Sequence, residues 1–268
     1  MSAAARRKEG ASRRGVGDRL AVWVDRVLGP VPDLPAPSGL TDDRRTAVVL
    51  WTSALLMVIL VFRGGFDSPG DLYAGWSGVD EDSLAGKMYW VGWGAFTYLV
   101  CPALIVLLVM RESPARYGLR LKFTWKSSLV YLALISAMVL PLFWAAEQPS
   151  FVRKYPLVSD LNGDWGRIAA WELIRSFRFL CLEFFFRGYL LFGTEKRFGH
   201  HAIAVAALPY GLIHFAKPFP EALGAVGAGA ILGFMALRTR SIAGGVVVHA
   251  TVAAAMDLLA LYKKGAFG

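Results

Sequence analysis

The chain has 268 residues, 56% of them hydrophobic and 18% charged, with a net charge of +9. Its mean hydropathy is +0.46, and several apolar runs approach the ~20 residues a helix needs to cross a bilayer, which excludes an ordinary soluble domain. The basic excess does not indicate nucleic acid, because it falls at the ends of apolar runs and in alternate loops, where it sets topology and meets anionic lipid.

The expected fold is all-α, a polytopic transmembrane helical bundle of about seven spans. Residues 1–45 form a basic N-terminal segment and residues 46–263 the transmembrane domain. Residues 1–15 are expected to be disordered, and residues 1–45 are polar and basic without the apolar stretch of a cleavable signal peptide, so none is expected. Between residues 16 and 28, Val16, Leu20, Trp23, Val24 and Val27 recur at helical spacing. That pattern predicts a short amphipathic helix, lying on the cytoplasmic membrane surface or packed on the protein's own loops. Residues 29–39 are a proline-rich linker.

Spans are expected near 46–63, 88–110, 127–146, 168–193, 201–216, 220–238 and 241–262. The first three are cleanly apolar. The fourth carries Glu172, Arg175, Arg178, Glu183 and Arg187, the fifth is short and contains Pro209, and the sixth repeats small residues at Ala225, Gly229 and Gly233. Small residues at that spacing let helices approach closely in lipid. Asp67, Asp71, Asp80, Glu81 and Asp82 mark the first loop as external. Arg111, Arg116, Arg120, Lys122 and Lys126 mark the second as internal, as do Lys196 with Arg197 and Arg238 with Arg240. An N-inside, C-outside chain in a cell membrane satisfies these signs, against Lys263 and Lys264 at the outer end. Cys101 and Cys181 both sit in apolar runs, so neither a structural disulfide nor a thiolate metal site is expected.

Ionisable groups at membrane depth are costly and generally face a partner or a water-filled cavity. Glu183 and Arg187 are four apart, neighbours on one helix face with the acid first. Glu172 lies on nearly the same stripe, so the fourth span has a polar face that must point inward. His214 ends the run from Pro209 through Tyr210, and His249 sits well inside the seventh span, with Asp257 two turns beyond it. Glu183 and His249 are both expected ~12–14 Å from the inner surface, with His214 somewhat further out. Plainer readings stay open for each: a self-neutralising ion pair, an interfacial histidine, a core histidine bonded to a backbone carbonyl.

Three motifs in order resemble those of the CAAX protease and bacteriocin-processing family of intramembrane proteases, over about residues 168–262. The first is Glu183-Phe184-Phe185-Phe186-Arg187 followed by Gly188-Tyr189-Leu190, the second Tyr210 to His214, the third His249 to Ala253. The family has a second glutamate where this chain has Leu182 and an asparagine where it has Ala253. The resemblance implies hydrolysis of a peptide bond in a membrane-embedded or membrane-associated protein. Glu183 would accept a proton from water, His214 would share that water or protonate the leaving amine, and His249 would polarise the carbonyl. Arg187, Glu172, Tyr210 and Asp257 would support them. No cofactor is required, although Glu183, His214 and His249 could form a catalytic zinc site without the usual local spacing. Two alternatives remain. One is a catalytically degenerate relative acting as an interaction or immunity protein. The other, a transporter, predicts an internal repeat that the sequence does not display.

Overall fold

The computed structural model describes residues 26, 40–64, 80, 82–215 and 217–267. Apart from Arg26, residues 1–39, with the amphipathic helix and the proline-rich linker, lie outside the described residues, as do Asp67, Asp71 and Glu81. Among the described residues there is helix and no strand, so the fold is an all-α bundle.

Helix α1 spans Asp42–Ile59 and runs on into a π-helical turn, Leu60–Gly64. It starts before residue 46 because Thr41 caps it, accepting from the Arg44 amide at 3.5 Å, with Asp42 and Asp43 in the first turn. The second span is a composite: α2, Leu84–Ala95, a π turn, α3, Cys101–Leu104, and a second π turn to Val109. The third is α4, Trp125–Ala137, and α5, Val139–Ala146, interrupted at Met138. Pro141 explains the interruption, since it has no N–H to bond back to the Ala137 carbonyl. After the short α6, Pro149–Lys154, comes α7, Trp165–Glu183, a π-helical stretch Phe184–Leu190, and α8, Leu191–Phe198. The bundle closes with α9, Ala202–Leu212, α10, Phe219–Thr239, and α11, Ala243–Lys263.

Five helical stretches are long and apolar enough to cross a membrane: 42–62, 84–109, 125–146, 219–239 and 243–263. The fourth and fifth expected spans are not among them, for different reasons. The α7–α8 unit is long but charged. Helix α9, with 11 residues, rises only about 16 Å. Side chains facing outward, such as Trp51, Leu55, Leu108, Leu140 and Leu208, are apolar and exposed, which suits contact with lipid tails.

Polar contacts sort the helix ends into two groups. At one end Arg45 is buried and bonds Glu112 at 2.6 Å, Arg197 meets Asp43 at 2.9 Å, and Arg240 grips Glu195 through two bonds of 2.5 and 2.8 Å. The Ser241 hydroxyl joins them by donating to the Arg120 carbonyl at 2.5 Å. At the other end Asp160 accepts from the Leu84 amide at 3.1 Å, Lys263 meets Glu147 at 2.5 Å, and Trp165 stacks on Phe267. The start of α1, the 111–120 loop, the end of α8 and the start of α11 therefore share one end. The loop charges predicted the same grouping.

The bundle is organised around the α7–π–α8 unit. Residues Cys181 to Thr194 are buried without interruption. A helix apolar on every side must be enclosed by others, and here Phe184, Phe185 and Phe186 pack with Tyr98, Tyr189 and Tyr210 in the main core cluster. Asp164 starts the unit, accepting from the Gly166 and Arg167 amides at 2.7 and 3.2 Å.

Candidate functional site

The site is built where α7, α9 and α11 meet. Glu183 is the last residue of α7 before the π-helical stretch, and it is 1% exposed. Such π segments widen the helix locally and recur at functional positions. Arg187 lies one turn on, also buried, with Nη1 3.2 Å from Glu183 Oε1. From α11, His249 brings Nδ1 to 2.9 Å from the same carboxylate oxygen.

Neither contact is collinear with its N–H, so Oε1, Nδ1 and both terminal nitrogens of Arg187 are buried without a directed hydrogen bond. The distances decide the pairing all the same, because Glu183 is the carboxylate that these two groups face.

Gly244 and Gly245 make this approach possible. They stand about one turn before His249 on α11. A Cβ at Gly245 would collide with the Glu183 carboxylate, and one at Gly244 with the Tyr131 ring from α4. Hydrogen at these two positions gives α11 a notch in which Glu183 rests directly beneath His249.

Tyr210, on α9, ties the remaining groups together. Its hydroxyl is 2.8 Å from His249 Nε2. The Arg187 guanidinium carbon sits 3.9 Å above its ring, a cation–π contact away from water. His214 follows just after α9 ends. Its Nδ1 bonds the Tyr210 carbonyl at 2.8 Å, and the two rings lie 4.7 Å apart. The structure thus links Glu183, Arg187, Tyr210 and His249 in a closed ring of contacts, and His214 joins them through Tyr210.

Glu172 and Asp257 belong to a second polar group, nearer the α6 end. Asp257 is fully buried and accepts from Trp171 Nε1 at 2.7 Å and Arg175 Nη1 at 2.5 Å. Arg175 also donates to the Ala253 carbonyl at 3.2 Å, and Glu172 faces Asp257. Beyond them Tyr155 donates to Glu221 at 2.5 Å and accepts from Lys217 at 2.9 Å. Burial pushes the Lys217 ammonium down to about 8, with Glu221 opposing. Phe179 stands between the two groups, stacked on His249 at 5.3 Å and 5.8 Å from Arg175. Asp257 is therefore held away from Glu183, with its Oδ2 taken up by Trp171 and Arg175. Arg178 turns away altogether and lies 3.5 Å over Trp90 of α2, in space that Gly94 leaves open.

Sequence reasoning missed Trp171, Phe179, Tyr155, Lys217 and Glu221. Trp171 and Tyr155 meet their polar partners across the bundle, whereas Lys217 and Glu221, 3.6 Å apart, are an i, i+4 pair that local spacing could have marked. The glycine pair was legible in principle, because it stands a turn ahead of a histidine inside a span. Among the described residues no three His, Cys, Asp or Glu side chains are gathered to hold a metal ion. Glu183, His214 and His249 thus do not form a three-ligand set here.

The family described as Type II CAAX prenyl endopeptidase Rce1-like matches residues 166–255, from the first turn of α7 into α11. No curated protein and no solved structure matches the chain. The matched segment holds Glu183, Arg187, Tyr210, His214 and His249, so the family resemblance read from the three motifs is borne out. At family level the relationship is to an intramembrane protease.

Proposed function

We propose that this chain, Rce1-like over residues 166–255, is an intramembrane endopeptidase using water activated at Glu183. The supporting observation is a fully buried carboxylate in contact with His249 and Arg187 inside the matched segment. Water adds across the peptide bond. Glu183 takes one proton, the hydroxyl joins the carbonyl carbon, and the C–N bond breaks as the proton passes to the leaving amine. His214 shares the water or delivers that proton. Arg187 keeps Glu183 ionised and in place. No step is routed through a metal. The substrate is a membrane-embedded or membrane-associated protein or peptide. The test is cleavage of an internally quenched farnesyl-cysteine peptide by purified protein, with Glu183→Gln as its control.

The protein would sit in a bacterial cell membrane with its N-terminus cytoplasmic. A C-terminal fusion to a reporter active only in the cytoplasm should then be silent, while an N-terminal fusion is active. An active C-terminal reporter would remove one pass from the topology.

A second reading is a catalytically degenerate relative with an interaction or immunity role. It is favoured by Leu182 and Ala253, both buried and apolar where the family carries glutamate and asparagine. Leu182→Glu separates the two. An adapted site should lose turnover, because a further unpaired carboxylate is buried beside Glu183. A gain of activity would show a degenerate site repaired.

A further inference from the structure

We propose that Tyr210 is the positioning residue of this site, fixing the tautomers of both histidines at once. The inference rests on the endopeptidase reading for its kinetic consequence, and on hydrogen-bond chemistry alone for its structural one.

A neutral imidazole has one N–H and one lone pair, and the partner of each nitrogen decides which is which. His214 Nδ1 is 2.8 Å from the Tyr210 carbonyl oxygen. A carbonyl only accepts, so Nδ1 carries the proton and Nε2 carries the lone pair. His249 Nδ1 is 2.9 Å from Glu183 Oε1. The contact is not a directed hydrogen bond, but a lone pair at Nδ1 would face the carboxylate's own, so the proton is placed at Nδ1. His249 Nε2 is then an acceptor, and the Tyr210 hydroxyl 2.8 Å away donates to it. The backbone of Tyr210 sets one ring and its side chain sets the other.

The tyrosine is itself held firmly. It is buried, its ring lies under the Arg187 guanidinium at 3.9 Å, and Phe186 meets it edge-on at 5.4 Å. Phe179 stacks on the far histidine at 5.3 Å, so the His249 ring cannot turn over freely. The consequence for chemistry is a division of labour. His249 bonds Tyr210 through Nε2 and faces Glu183 with Nδ1, whereas His214 keeps an Nε2 lone pair able to accept from water.

Tyr210→Phe tests this with minimal disturbance. Phenylalanine keeps the ring under Arg187 and the carbonyl to His214, and removes only the hydroxyl. With the exposed His200 and His201 replaced by glutamine, 15N NMR of histidine-labelled protein reads the two remaining rings. Wild type should show both protonated at Nδ1. In Tyr210→Phe the His249 Nε2 resonance should move as its donor is lost, while His214 stays unchanged. Cleavage of the farnesyl-cysteine peptide should fall about 10–100-fold in kcat, less than the ~10²–10⁴ that a group transferring the proton itself supplies, with KM within about threefold.

An unchanged His249 resonance in Tyr210→Phe, or a wild-type His249 lacking the Nδ1 proton, would overturn the proposal. So would a kcat within threefold of wild type in an enzyme that Glu183→Gln inactivates. If the NMR shift occurs but wild type does not cleave, the endopeptidase reading falls and the positioning role stands.

Discussion

Replacing Glu183 by glutamine is expected to bring cleavage of a prenylated peptide down to the detection limit while leaving the bundle folded. Glutamine fills the same volume in the notch at Gly245, and its amide oxygen can still face Arg187 and His249. It cannot take a proton from water. A positioned general base is worth about 10²–10⁴ in rate, enough to separate the variant cleanly from wild type. The measurement is peptide cleavage by protein purified in detergent, alongside its melting temperature. His214→Ala should be similarly damaging, because it removes the remaining imidazole lone pair near the water. Full cleavage by Glu183→Gln would remove this carboxylate as the base and return the interaction-protein reading to first place.

Arg187→Ala should act on the fold as well as on turnover. The guanidinium is 1% exposed, 3.2 Å from Glu183 and stacked on Tyr210. Removing it strands a buried carboxylate and empties the space above an aromatic ring. Breaking a buried ion pair from one side costs about 3–5 kcal/mol, so the variant should melt well below wild type in detergent. Replacing both partners gives the complementary result. Glu183→Gln with Arg187→Met leaves no unpaired charge and should recover most of the lost stability while remaining inactive. Equal melting of Arg187→Ala and wild type would show that Glu183 is solvated rather than paired.

The parts of this molecule legible in the sequence were those written in local spacing. Apolar runs marked the spans, alternating loop charge grouped Arg111, Lys196 and Arg240 at one end, and the i, i+4 pair of Glu183 and Arg187 is a contact within one helix. His249 was placed beside Glu183 by depth alone, and the 2.9 Å contact agrees. What depended on the path of the chain through space was not legible. Asp257 lies on the stripe of His249, yet Trp171 and Arg175 claim it because α7 runs beside α11 at that level. The start of α1 was misjudged because a threonine cap extends the helix into the polar residues before the apolar run. Tyr210 entered as the aromatic head of a motif. Its hydroxyl matters only because α9 sets it against a histidine 39 positions away.

The shortness of α9 extends to the lipid around it. Its exposed Leu208 and Leu212, with Phe215 just beyond its end, offer acyl chains about 16 Å of helix, against the ~30 Å thickness of hydrocarbon in a typical bilayer. Thinning of the lipid beside this flank is one way to accommodate the difference, at a cost that grows with each ångström of mismatch. Thinning there would bring the headgroup layer toward the turn that carries His214. A membrane of shorter acyl chains fits the protein better there, so bilayer thickness itself becomes a variable that tunes how closely water and the polar region approach the site.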